Sequence, residues 1–257
     1  MYRNYIFDLY GTLVDIHTVE DDRQVWEKLR LFYGYYGAGY TAEELREAYD
    51  GRVKSVHSRA VRNAAREGTG KASMKIPRYD HEACPEIELS GVFRALFTEK
   101  GVDPDDLTVL HAGQIFRVLT TDYLRLYDGA CDMLAELRRR GKQIYLLTNA
   151  QRIFTEYELV LLGIADCFDG ILISSDCGVK KPDTRFFRLL QERYGLNPAQ
   201  SIMIGNDEVC DIAGAKGAGM DACYLHSNLS PEYTGTAGAD YVQKEICLGK
   251  LCGLLCR

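Results

Sequence analysis

The residues best suited to chemistry lie where short apolar runs end. "YIFDLYGTLVD" (5–15) turns polar at Asp8, and Gly11-Thr12 bends the chain soon after. "YLLTN" (145–149) ends on Thr148 and Asn149. "GVKKPD" (178–183) carries Lys181 before a proline, and "MIGNDEVCD" (203–211) holds Asn206, Asp207 and Asp211. Each alone has an ordinary explanation. An Asp closing an apolar run is usually a turn or cap residue, Lys-Pro commonly starts a helix, and acidic residues suit a helix N-terminus. Together they offer a carboxylate nucleophile, a hydroxyl, an ammonium and an acidic pair. The residue two places after Asp8 is Tyr10, where a second carboxylate would better serve phosphate chemistry.

These residues need a frame that brings distant strand ends together. Apolar or β-branched runs at 4–10, 142–149, 169–176, 201–207, 221–226 and 239–243 read as strands. Amphipathic stretches at 129–140, 151–162, 183–194, 209–217 and 245–254 read as helices between them. Near-continuous apolar strands alternating with helices imply a parallel sheet covered on both faces, hence an α/β doubly wound, Rossmann-like core. In such sheets ligands bind beyond the carboxyl ends of the strands, where the candidates above fall.

Residues 17–126 break the rhythm. The stretches 19–37, 41–68, 85–101 and 105–127 all read as helical, and 68–82 reads as a loop. The expected organisation is therefore a core of residues 1–16 and 127–257 with an all-helical cap, 17–126, inserted after the first strand. Within the cap, Trp26 and the aromatic stretch 29–40 are expected to form its own interior.

Composition narrows the function classes. The 257 residues are 46% hydrophobic and 26% charged, ordinary for a globular chain able to bury a sizeable core. A net charge of −6 argues against a general nucleic-acid binder. No apolar run approaches bilayer length, and the first apolar stretch contains Asp8, so neither a membrane span nor a signal peptide is expected and the protein reads as cytoplasmic. Nine cysteines without zinc-site spacing read as reduced thiols.

In order and spacing these segments resemble the motifs of the haloacid dehalogenase superfamily. "FDLYGTL" is similar to its first motif, "LLTN" to its second, "KKPD" to its third and "IGNDEVCDIAGAK" to its fourth, and the helical insertion resembles that family's helical (C1-type) cap. The resemblance implies a hydrolase in which Asp8 attacks an electrophilic centre to form a covalent intermediate. For a phosphatase it implies Mg²⁺ held by Asp8, the backbone carbonyl of Tyr10 and Asp207, with Asp211 a near ligand. The family forms GDxxxD and GDxxxxD fit "GNDEVCD" only with a shift, so Asn206 also stands as a metal candidate. Thr148 and the Asn149 amide would hold a phosphoryl oxygen, and Lys181 would neutralise charge on nucleophile and phosphate. Gly11 and Thr12 would help form the phosphate cradle. The implied partner is a small anionic metabolite, expected to be phosphorylated. Monomer and homodimer stay equally open.

Tyr10 divides the possibilities. Phosphatases of the family carry Asp there as general acid and base, help worth about 10²–10⁴ in rate. A tyrosine, with a reference pKa of about 10, is poorly matched to taking a proton back near neutrality. The family's dehalogenase branch carries Tyr at this position and works without metal. Other positions pull towards phosphorus: that branch has Tyr where Phe187 stands, and Ser and Asn within its fourth motif where this chain reads Asp207-Glu208-Val209-Cys210-Asp211. The reading preferred from sequence is a Mg²⁺-dependent phosphatase acting on a small phosphorylated metabolite. A metal-independent 2-haloacid dehalogenase is the alternative, and a catalytically weak binding or regulatory member is a second one. His17, at the exit from the core, is a candidate proton donor and substrate-binding residue, with His57 and Glu20 weaker candidates.

Overall fold

The computed structural model describes residues 2–66, 85–235 and 237–255; the loop read over 68–82 lies outside them. Six parallel strands form the central sheet: β1 (Asn4–Phe7), β4 (Gln143–Thr148), β5 (Gly170–Ile173), β6 (Ser201–Gly205), β7 (Asp221–Leu225) and β8 (Tyr241–Gln243), in the order β5-β4-β1-β6-β7-β8. The core is thus α/β and Rossmann-like, as the alternation of apolar runs and helices predicts. β1 lies between β4 and β6, with Phe7 opposite Leu146 on one side and Ile204 on the other. The chain order diverges on either side of β1, and this register delivers Asp8, Thr148 and Asn206 to one edge of the sheet.

Both sheet faces are covered. Tyr5, Phe7, Ile144, Leu146, Ile202 and Ile204 point to one side, where they pack with α5 (Ala130–Arg139) and α10 (Leu248–Leu255). Ile6, Tyr145, Leu147 and Met203 point to the other, against Phe186, Phe187 and Leu190 of α8 (Thr184–Tyr194). This is the period-two alternation of strands buried on both faces. The described cysteines 131, 167, 177, 210, 223 and 247 are thiols and not half-disulfides, and no described helix is long and apolar enough to cross a membrane.

The inserted segment holds α1 (Arg23–Tyr35), α2 (Ala42–Arg66), α3 (Ser90–Thr98) and α4 (Asp106–Thr120). Asp22 caps α1 by accepting from the Gln24 amide, and Asp105 caps α4 by accepting from the Thr108 amide. Trp26, Tyr33, Tyr40, Tyr49, Phe93 and Phe116 share one aromatic interior; of the aromatics in 29–40, Tyr33 and Tyr40 are buried in it and Phe32 packs against it, whereas Tyr35 and Tyr36 are exposed. Ile153 and Phe154, from core helix α6 (Arg152–Leu161), are buried in that same interior.

One expectation is corrected. The stretch 105–127 is not one helix: α4 stops at Thr120, and β3 (Thr121–Leu126) pairs antiparallel with β2 (Val14–Thr18). Leu119, Tyr123 and Leu126 continue a helical spacing, which is why the strand is hidden in the sequence. Pairing with β2 overrides that local pattern.

This ribbon carries the chain into and out of the cap, and it is tied to the core. Arg125 Nη2 lies 2.7 Å from Asp15 Oδ2 across the ribbon, and Asn228 Nδ2 donates to Asp15 Oδ1 at 2.9 Å. Burial alone would raise the Asp15 carboxyl, but hydrogen bonds from Asn228 and Arg125 outweigh it and hold the group below its ordinary 3.8. A depressed carboxyl stabilises the fold above its unfolded pKa, and that contribution disappears as the pH falls through the folded value. Thermal melts of the wild type and Asp15→Asn should therefore differ near about pH 7 and converge towards about pH 3. A gap unchanged across that range would contradict the role given to Asp15.

Candidate active site

Asp8 follows directly on β1, and its amide donates to Ile204 O of β6 at 3.0 Å. The residue is 7% exposed. Lys181, 1% exposed, donates from Nζ to Asp8 Oδ1 at 2.6 Å and to Asp211 Oδ1 at 2.7 Å. The second Asp211 oxygen accepts from the Asp207 amide at 3.0 Å. Two buried carboxylates thus share one ammonium. Burial pushes the Asp211 carboxyl upward against the pull of Lys181, with Asp8 and Asp207 adding to the rise. Burial would lower Lys181, but Asp211 and Asp8 outweigh it and hold the ammonium above its ordinary value. Lys181 is positioned through its own backbone: Asn149 Oδ1 accepts from the Lys181 amide at 2.8 Å, and Asn149 Nδ2 donates to the Lys181 carbonyl at 2.9 Å.

Thr148 closes β4 next to β1. Its hydroxyl is wholly buried and has no hydrogen-bond partner among the described residues. Such orphaned donors are uncommon in folded proteins, and one at a strand end beside a carboxylate suits an anionic oxygen. Thr12 Oγ1 lies 3.4 Å from Asp8 Oδ2 and 3.3 Å from Asn206 Oδ1, so those two oxygens gather around one hydroxyl. Gly11 makes this possible. Its φ is +85°, and a Cβ there would lie 2.2 Å from Asn206 Nδ2. Gly11→Ala should cost about 1–3 kcal/mol in denaturant unfolding and displace Asn206. Unchanged stability would show that the loop relaxes around the methyl group.

The remaining candidates are arranged differently from what their sequence neighbourhood suggests. Asp207 Oδ1 accepts from the Val209 and Cys210 amides, capping a turn of π-helix over Glu208–Ala213. Glu208 accepts from the Thr234 and Ala237 amides and pins the loop after β7. The run "NDEVCD" therefore does not converge as one acidic cluster. His17, exposed on the ribbon, has Nδ1 3.4 Å from Asp122 and stacks on Tyr123. Asp176 pairs with Arg152. The Tyr10 hydroxyl donates to Glu158 Oε2 and lies 3.0 Å from Thr155 Oγ1. Burial first and the Glu158 charge second push the Tyr10 phenol well above its ordinary value, with Arg117 opposing.

Among the described residues no group of three or more His, Cys, Asp or Glu side chains is placed to hold a metal. Oxygen donors are nevertheless present at one spot: the Asp8 carboxylate and the Asn206 amide oxygen, around Thr12. Mg²⁺ prefers oxygen, keeps several waters and commonly takes only one or two carboxylates plus substrate phosphate. The uncompensated negative charge of the Asp8–Lys181–Asp211 group also favours a cation. The donor set fits Mg²⁺.

A family model for haloacid dehalogenase-like hydrolases matches residues 2–219. The chain belongs to this family. The chain is 37% identical over 141 residues to the phosphoserine phosphatase of Thermus thermophilus, a match covering 55% of each chain. It therefore spans about half the length of that curated relative. It is 27% identical over 222 residues to the (S)-2-haloacid dehalogenase of Pseudomonas sp. (strain YL), covering 86% of this chain and 81% of that one. The crystal structure of 2-haloacid dehalogenase from Pseudomonas syringae pv. Tomato DC3000 superimposes on this chain with a TM-score of 0.62 at 20% identity, covering 100% and 99% of the two chains; at that identity it speaks for the fold alone.

The sequence missed the side chain of Asn149 as the clamp on Lys181, and it missed Glu158 and Arg117 altogether. Asn149 directly follows the strand-ending Thr148, a signal that could have been read. Glu158 and Arg117 carry none, being one acid and one base on two ordinary amphipathic helices.

Proposed function

We propose that this hydrolase is a phosphatase that cleaves the phosphoric monoester of a small metabolite through an aspartyl-phosphate on Asp8. The observation that carries this reading is the charge balance around Asp8. Two buried carboxylates share one ammonium, and Arg117, whose guanidinium lies over the Tyr10 ring, is already paired with Glu158 at 2.6 Å. A haloacid carboxylate placed here would add negative charge without a free arginine at Tyr10 to meet it. A phosphoryl group bound with Mg²⁺ would bring its own compensation.

In this reading an Asp8 carboxylate oxygen attacks phosphorus, the bond to the leaving-group oxygen breaks, and water then hydrolyses the aspartyl-phosphate to release phosphate and restore the Asp8 carboxylate. Lys181 holds Asp8 in place and limits repulsion between nucleophile and phosphate. Thr148 donates its unclaimed hydroxyl to a phosphoryl oxygen, beside the Asn149 amide, while Gly11 and Thr12 shape the loop around the group. Mg²⁺, held by Asp8, the Tyr10 carbonyl and Asn206 rather than Asp207, would supply charge neutralisation for an anion attacking an anion. Asp211 fixes Lys181 rather than the metal. The Tyr10 proton is committed to Glu158, so the reading favours substrates with a good leaving group, such as an acyl phosphate. We place the protein in the cytoplasm.

A second reading, metal-independent 2-haloacid dehalogenase, is favoured by Tyr10 and by the commitment of Asp207 and Glu208 elsewhere. One panel separates the two. Phosphate release from p-nitrophenyl phosphate and acetyl phosphate that requires Mg²⁺ supports the phosphatase. Chloride release from 2-chloropropionate in the presence of a chelator overturns it. No turnover in either arm, with phosphate still bound, would indicate a binding member of the family.

A further inference from the structure

The carboxylate of Glu158 joins three parts of the molecule. Oε2 accepts from the Tyr10 hydroxyl, on the loop directly behind Asp8. Oε1 accepts from Arg117 Nε at 2.6 Å, on cap helix α4. Glu158 itself is on α6, the helix that follows Thr148 and Asn149, and is only 2% exposed. A buried carboxylate needs compensation, and here the cap's guanidinium supplies it.

The helices around this contact leave α4 little freedom against α6. A Cβ on Gly113 of α4 would lie 2.3 Å from Ile153 Cδ1, so the two helices cross at close range through a glycine. Phe154 is buried among cap residues, and the Arg117 guanidinium lies 5.2 Å from its ring centroid and 5.7 Å from that of Tyr10. The loop at the other end is equally defined. The amides of Thr12, Leu13 and Val14 all donate to Leu9 O, and the Gly11 amide donates to Val14 O.

We propose that Glu158 is a positioning residue that latches the nucleophile loop to the cap, holding Tyr10 with one oxygen and Arg117 with the other. The loop behind Asp8 is then set by where α4 lies. A cap displaced from α6 takes Arg117 away from Glu158, so the carboxylate that holds Tyr10 loses its compensating charge and its fixed orientation, and Asp8 is best aligned when the cap is seated. The consequence for catalysis rests on Asp8 being the nucleophile; the latch itself does not.

Hydrogen exchange on the full chain tests it, using Arg117→Met, Tyr10→Phe and the double variant. Arg117→Met should speed exchange of the amides of residues 11–14, which Arg117 reaches through Glu158 and the Tyr10 side chain, by about threefold or more. The double variant should exchange no faster there than Tyr10→Phe alone. By reciprocity Tyr10→Phe should speed exchange in the last turns of α4, and this arm decides the matter if Arg117→Met fails to fold. Unchanged exchange at 11–14 in Arg117→Met and at α4 in Tyr10→Phe, or strictly additive effects, would overturn the latch. With p-nitrophenyl phosphate and Mg²⁺, Arg117→Met should lower kcat several-fold while KM changes little. A wild type inactive on both that probe and acetyl phosphate would overturn the phosphatase reading and leave the exchange result to decide the latch.

Discussion

Asp8→Asn is expected to abolish phosphate release, by on the order of 10⁴-fold or more, while leaving the melting temperature the same or higher. The two expectations have one origin. An amide cannot serve as the nucleophile, so the covalent route closes. The same change removes one of two buried carboxylates that share a single ammonium, which relieves repulsion in the folded state. Steady-state assays with p-nitrophenyl phosphate, beside a thermal melt, read both. Activity surviving the substitution would remove Asp8 from the reaction. A large fall in melting temperature would mean that Asp8 is needed for the fold, and lost activity would then say nothing about chemistry.

Lys181→Met should also abolish turnover, with the opposite effect on stability. It leaves Asp8 and Asp211 facing each other in a site from which water is nearly excluded, with exposures of 7% and 1%. Removing one partner from a buried charge group typically costs about 3–5 kcal/mol. Without the ammonium nothing opposes the burial that raises the Asp211 carboxyl. A raised carboxyl destabilises the fold at neutral pH and does so less as the pH falls and a proton is taken up. Denaturant unfolding of Lys181→Met should therefore show a deficit against the wild type that narrows on acidification. A deficit independent of pH would point to lost packing around the lysine stem instead.

The core was legible because its strands are buried on both faces, so each appears as a short apolar run. Asp8 and Thr148 stand where such runs end, whereas Lys181 and Asp211 lie several residues beyond β5 and β6 and stood out through the motif resemblance. The ribbon was not legible, because Leu119, Tyr123 and Leu126 keep a helical spacing through β3 and only the partner strand decides otherwise. The fourth motif was less legible. Asn206, Asp207, Glu208 and Asp211 are neighbours in sequence, yet around the turn of π-helix Asp207 goes to backbone amides, Glu208 to the amides of Thr234 and Ala237, and Asp211 to Lys181. Tyr10 was visible as an anomaly, but its partners were not: Glu158 and Thr155 come from 148 and 145 residues away. Side chains that meet only through tertiary packing leave no local pattern in the chain.

The most direct measurement is the mass of the peptide containing Asp8 after acid quench during turnover. Mixed with acetyl phosphate and Mg²⁺, the wild type should carry one phosphoryl group on Asp8, and Asp8→Asn should carry none. An Asp8 ester formed from 2-chloropropionate without metal, or steady phosphate release with no adduct on Asp8 at any quench time and undiminished in Asp8→Asn, would contradict it.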